Sequence, residues 1–143
     1  MTNTRASPDR TAWGLFLLRF LVGWVFLSEG IQKLLFPTTL GAGRFEKIGI
    51  PVPQFTGPFV GVVEIVCGAL LIAGLFTVAA TLPLLIDILV AIVTTKVPLL
   101  IKQGFWPAMH EARTDFCMLL GLLAIALLGA GSLSLDARRR TAG

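Results

Sequence analysis

The chain has too little of almost everything that soluble chemistry uses. Of its 143 residues, 14% are charged, one is a histidine and two are cysteines. The lone His110 cannot build a metal site, and Cys67 and Cys117 match no metal-ligand spacing, so zinc, haem and iron–sulfur cofactors within the chain are set aside. Two cysteines are also too few for a disulfide framework. Cys67 falls near the middle of one apolar segment and Cys117 near the edge of another, so their Cα atoms are not expected within the roughly 7 Å a disulfide needs. There is no Ser-His-Asp arrangement, no phosphate-cradling glycine loop and no nucleotide motif, which leaves soluble-enzyme chemistry without a foothold.

What remains is apolar. Hydrophobic residues make up 55% of the chain and mean hydropathy is +0.85, more than a water-soluble domain of this length tolerates on its surface. The sequence reads as an integral membrane protein. Its formal net charge of +4 does not point to nucleic acid, because six of the twelve basic residues sit in apolar segments, at their ends or in the run Arg138-Arg139-Arg140. A polybasic end beside a membrane helix reads as a topology signal or a contact for anionic lipid. The first apolar run is far longer than a secretory h-region and lacks a small-residue cleavage site, so it is expected to stay as an anchor.

Four spans are expected, near 13–36, 58–76, 78–101 and 114–133, between a polar tail (1–12) and a basic tail (134–143). Pro37 stops the first. The apolar stretch from Pro58 to Ile101 would cross a hydrocarbon core of roughly 30 Å about twice at 1.5 Å per residue, so it must fold back. Gly74-Leu75-Phe76-Thr77 is the expected turn, with Gly at a helix C-terminus and Thr as an N-cap. Thr114 and Asp115 suit the start of the fourth helix by capping and dipole. The fold class is all-α, an up-down-up-down four-helix membrane bundle with two structured loops on one side, Pro37 to Gly57 and Lys102 to Arg113. The first loop carries a candidate short helix at Arg44 to Ile48. The basic-residue balance favours both termini in the cytoplasm, and the plasma (inner) membrane is the expected location.

Ionisable groups interrupt these spans, and each is costly in hydrocarbon. By depth, Glu29, Lys33, Glu64, Lys96 and Asp115 fall into one loop-side polar layer fed by all four helices. Arg19 and Asp87 lie deeper, at similar heights, and are expected to form a separate structural pair. Gly57, Gly61, Glu64 and Gly68 share one face of the second span, so the carboxylate emerges from a small-residue stripe that permits close helix approach. Arg19, Gly23, Phe26, Gly30 and Lys33 share a face of the first, where Glu29 precedes Lys33 by four residues. The plainer readings are that Lys33 and Lys96 snorkel to the interface, that Asp115 is a helix-start charge and that the glycines only pack. Glu64 is too deep to escape by snorkelling.

Arg19-x-x-x-Gly23, Gly30-x-x-Lys33, Gly49-Ile50-Pro51-x-Pro53, Gly61-x-x-Glu64-x-x-x-Gly68, Gly74 and Gly129-x-Gly131-x-x-Ser134-Leu135-Asp136 occur in that order before a basic tail. Together they closely resemble the DoxX family of small bacterial four-span membrane proteins. The resemblance implies a four-helix bundle and, in a branch that includes the related DoxD proteins, a membrane subunit of a thiosulfate:quinone oxidoreductase. Other members are tied to thiol or oxidative-stress complexes, and distant eukaryotic relatives look like assembly chaperones and cargo receptors. Cys67-Gly68 stands where a glycine pair is common, and His110 to Phe116 replaces a Gly-Gly-x-Glu often seen there.

Two functions compete. One is a membrane subunit or accessory of a quinone-linked oxidoreductase, with Glu29, Lys33, Glu64 and Lys96 around a quinone headgroup or small anion and a soluble or membrane oxidoreductase as partner. The alternative is a non-catalytic assembly or scaffolding protein, which predicts an exposed small-residue groove. Transport is disfavoured, since four short spans without inverted repeats give little room for alternating access unless the chain forms a homo-oligomer.

Overall fold

In a computed structural model, which describes residues 9–142, the chain is helical with no strand among the described residues. Most of the polar N-terminal tail, including Arg5, lies outside the described residues. Helix α1 spans Arg10–Leu35, α2 Ala42–Lys47 and α3 Pro53–Ala73. Helix α4 spans Thr77–Ala91 and runs through a π-helical turn, Ile92–Lys96, into α5, Val97–Gln103; α6 covers Phe105–Leu128 and α7 Leu135–Thr141. Three of these are long and apolar enough to cross a bilayer: α1, α3 and the continuous Thr77–Gln103 segment. Helix α6 has 24 residues, about 36 Å at 1.5 Å each, but its first half carries Glu111, Arg113 and Asp115.

Pairing of α1 with α3 is set by glycines. A Cβ on Gly30 would stand 2.5 Å from the Gly61 carbonyl oxygen, and one on Gly68 would stand 2.7 Å from that of Gly23. The two backbones therefore touch directly, as small-residue stripes permit in membranes. Behind this contact, Val22, Phe26, Leu71, Leu84, Ile88, Met118, Leu122 and Ile125 form the core. The outer faces keep bulky apolar side chains exposed, such as Leu17, Leu21, Trp24 and Leu127, as lipid-facing surfaces do.

The α3–α4 turn falls at the expected place. Gly74 adopts the left-handed conformation (φ 69°), and the Leu75 N–H donates to the Leu70 carbonyl at 3.0 Å. Thr77 is the first helical residue rather than the cap, and Phe76 takes a left-handed φ of 49°. That strained residue is held from the far end of the chain. The Asp136 carboxylate accepts the N–H groups of Phe76 and Thr77, each at 2.9 Å, while the Asp136 N–H donates to the Gly74 carbonyl at 2.9 Å. Asp136 thus caps α4 from α7, whose own start is capped by the Ser134 hydroxyl, accepting from the Ala137 N–H at 3.1 Å. Partial burial pushes the Asp136 carboxyl up, but the bonds from Thr77 and Phe76 and the nearby Arg139 charge outweigh it and hold it below the ordinary carboxylate value.

Two expectations are corrected. The segment Lys102 to Arg113 is not a structured loop: α5 continues to Gln103, only Gly104 (φ 87°) breaks the helix, and α6 begins at Phe105. Polarity there marks a helix that outruns the apolar layer, so Thr114 and Asp115 sit within α6 instead of starting it. At its other end α6 stops at Leu128, before the expected Leu133, because Gly129 and Gly131 both take positive φ. The short helix in the first loop forms over Ala42–Lys47 and packs on α3 through Ala42 and Phe45.

Candidate functional site

A cavity of about 690 Å³ lies among the loop-side halves of α1, α3, α4 and α6, with α2 contributing Leu40-adjacent wall residues Arg44 and Phe45. Glu29, Lys33, Glu64, Lys96 and Asp115 all line it. At its centre the Lys33 ammonium donates to both oxygens of Glu64, at 2.7 Å and 2.9 Å, with the two side chains 13% and 4% exposed. Glu29 stands 4.0 Å from the same ammonium and is half exposed. On the opposite wall, Lys96 pairs with Asp115 at 3.2 Å, linking the π-helical turn to α6. Lys33 therefore does not snorkel. Helical side chains tilt toward the N-terminus, so a lysine near the loop-side end of α1 leans into the bundle, where Glu64 meets it.

The Arg19–Asp87 pair does not form. Arg19 is fully buried, its Nη2 donates to the Leu133 carbonyl, and its Nε and Nη1 have no hydrogen-bond partner among the described residues. A Cβ on Gly74 would overlap its guanidinium, so that glycine is required by contact as well as by φ. The depth estimate failed because α1 is offset along its partner. With Gly23 against Gly68 and Gly30 against Gly61, Arg19 lies level with the α3–α4 turn, and the first turns of α1 extend beyond it. Asp87 sits higher and lines the cavity together with Glu64.

Sequence reasoning missed Asp87 as a cavity residue, and also Arg44, Glu111 and the π-helical turn. Helical spacing carries the signal for Asp87: Ala91, Thr94 and Thr95 follow at four, seven and eight residues and line the same cavity. The turn has its own cause. Pro98 has no N–H to donate, and the Thr94 and Thr95 hydroxyls donate to the Val90 and Ala91 carbonyls at 2.7 Å and 2.6 Å. Two cysteines, Cys67 buried and Cys117 exposed, are free thiols, and no cluster of three or more metal-ligating side chains occurs among the described residues. A second hollow of about 490 Å³ opens beside α7, but its carboxylate, Asp136, is already engaged at the α3–α4 turn.

A helical membrane protein with a charged, apolar-walled cavity is the class these features define. The DoxX family model matches residues 14–97, and the chain belongs to that family. It is 54% identical over 127 residues to "Uncharacterized membrane protein Rv3486" of Mycobacterium tuberculosis, covering 85% of this chain and 78% of that protein. It is 29% identical over 123 residues to "Putative oxidoreductase CatD" of Bacillus subtilis, covering 86% and 84% respectively. No solved structure matches the chain at a significant level.

Proposed function

We propose that this DoxX-family protein is a membrane subunit or accessory of a quinone-linked oxidoreductase system acting on thiosulfate, thiols or oxidative damage. The observation that carries this reading is the cavity itself. It has the volume of a small-molecule site, apolar walls that include Phe26, Val63, Ile88 and Met118, and a few converging charged groups. Lys33 and Lys96 offer positive charge to a ring oxygen, and Glu64 exchanges the proton that a ring oxygen takes up on reduction. Electrons come from a sulfur compound or from an oxidoreductase partner. The name of the Bacillus subtilis relative supports the same class.

The scaffolding alternative calls for an exposed groove of small residues. Gly23, Gly30, Gly61 and Gly68 are instead consumed inside the chain, between α1 and α3. In the proposed topology α6 makes a fourth crossing of the inner membrane. Arg10 and the α7 arginines then face the cytoplasm, and Arg44, Lys47, Lys102 and Arg113 lie on the other side.

The test is equilibrium binding of a short-chain quinone to purified protein in lipid nanodiscs. Saturable binding that weakens in Glu64→Gln is expected; no binding, with no change on Glu64→Gln, removes the reading.

A further inference from the structure

Three of the apolar residues that line the cavity also face outward. Phe59 on α3 and Ile86 and Val90 on α4 are cavity-lining yet 54%, 65% and 43% exposed. Each belongs to an outward-facing stripe at helical spacing. On α3 the exposed stripe is Phe55, Phe59, Val62 and Val66; on α4 it is Leu82, Ile86, Val90 and Val93. A side chain that lies on both a lipid-facing stripe and a cavity wall marks the edge of an opening. The glycine face of α3 is committed to α1, and α4 packs on both α3 and α6, with the loop-side halves of α3 and α4 flanking the cavity at this edge.

The charge of the lining points the same way. Five carboxyl groups face three cationic groups in the cavity, and the central cations are already paired, Lys33 with Glu64 and Lys96 with Asp115. A dissolved anion entering there meets a surplus of acidic groups, whereas an uncharged molecule is not repelled by it.

We propose that the cavity is entered sideways from the hydrocarbon layer, through a slot between α3 and α4 framed by Phe59, Ile86 and Val90, and that its occupant is an uncharged molecule with an apolar body rather than a dissolved anion. This rests on reading the cavity as a ligand site. The slot places the occupant's polar end against Glu64 and Asp87 and leaves its apolar remainder between the two helices, in contact with lipid.

Carbodiimide labelling of the full chain in lipid nanodiscs tests the route without presupposing a ligand. A carboxyl O–H adds across one C=N bond of the reagent and rearranges to a stable acylurea, with no group leaving, so the adduct is read by mass spectrometry. The membrane-soluble dicyclohexylcarbodiimide is expected to label Glu64 or Asp87 faster than a water-soluble carbodiimide does. Ile86→Trp and Val90→Trp narrow the slot and are expected to slow that labelling about tenfold, a rise of about 1.4 kcal/mol in the entry barrier. Leu127→Trp, on the outward face of α6 (86% exposed), leaves the rate unchanged. Faster labelling by the water-soluble reagent, or equal rates in the wild type and both slot variants, overturns the proposal. Labelling through the slot that decylubiquinone fails to slow counts against a quinone as occupant and leaves the route standing; slowing by sodium thiosulfate overturns the exclusion of anions.

Discussion

Replacing Lys33 by methionine removes the cation bonded to a carboxylate that is 4% exposed. At 2.7 Å and an effective dielectric constant of about 20, the Lys33–Glu64 attraction is roughly 6 kcal/mol before desolvation, which cancels most of it. The net worth of the pair is therefore small, but the cost of breaking it depends on which half is lost. Without Lys33, Glu64 is left buried beside Asp87, a second acid, and the expected loss is about 3–5 kcal/mol. Without the Glu64 charge, in Glu64→Gln, Lys33 keeps Glu29 at 4.0 Å and an amide oxygen to donate to, so about 1–2 kcal/mol is expected. The double variant should recover most of the difference, giving a coupling energy of about 2–3 kcal/mol. Denaturant titration in detergent micelles, with all three variants and wild type, measures the cycle. Lys33→Met within about 0.5 kcal/mol of wild type, or additive single effects, would refute the reasoning, because an additive pair is not coupled.

Three further outcomes are expected. Asp136→Asn should cost about 1–3 kcal/mol by weakening two charge-assisted bonds at the α3–α4 turn. Since the folded Asp136 carboxyl sits below its ordinary value, its contribution is present above the unfolded value of about 4 and is lost as pH falls through the folded one. The difference between wild type and Asp136→Asn should therefore shrink on acidification, as thermal melts across that range would show. Gly30→Ala drives a methyl group against the Gly61 carbonyl and should cost about 1–3 kcal/mol, whereas Gly14→Ala, with nothing within 4 Å, should be neutral or slightly stabilising in the same melts. Arg19→Met orphans the Leu133 carbonyl for about 1–3 kcal/mol, and its effect should add to that of Asp87→Asn within about 0.5 kcal/mol; clear coupling would restore the discarded pair.

Much of the architecture was legible because its causes are local. Apolar run lengths marked the long helices, Pro37 and Gly74 marked their ends, and the glycine periodicity on α1 and α3 marked the faces that meet. The polar layer followed from depth alone, since Glu29, Lys33, Glu64, Lys96 and Asp115 all lie near loop-side helix ends. What failed depended on relations between helices. Only the register of Gly23 against Gly68 reveals that Arg19 lies beside the α3–α4 turn, while Asp87 lines the cavity with Glu64. The helical start of α6 was hidden for a different reason. Charged residues such as Glu111 and Arg113 form helices readily in water, so polarity alone does not distinguish a loop from a helix leaving the membrane. The grip of Asp136 on Phe76 and Thr77 joins residues about 60 apart in the chain, and no local pattern announces it.

A cavity around Lys33 and Glu64 that receives a small molecule has a direct thermodynamic signature. Equilibrium binding of decylubiquinone to the nanodisc-embedded protein, in wild type and Glu64→Gln, tests it most directly. Saturable binding at one site per chain is expected, weakened about tenfold, or about 1.4 kcal/mol, when the carboxylate becomes an amide. Binding that never saturates, or that is identical in the two proteins, contradicts it.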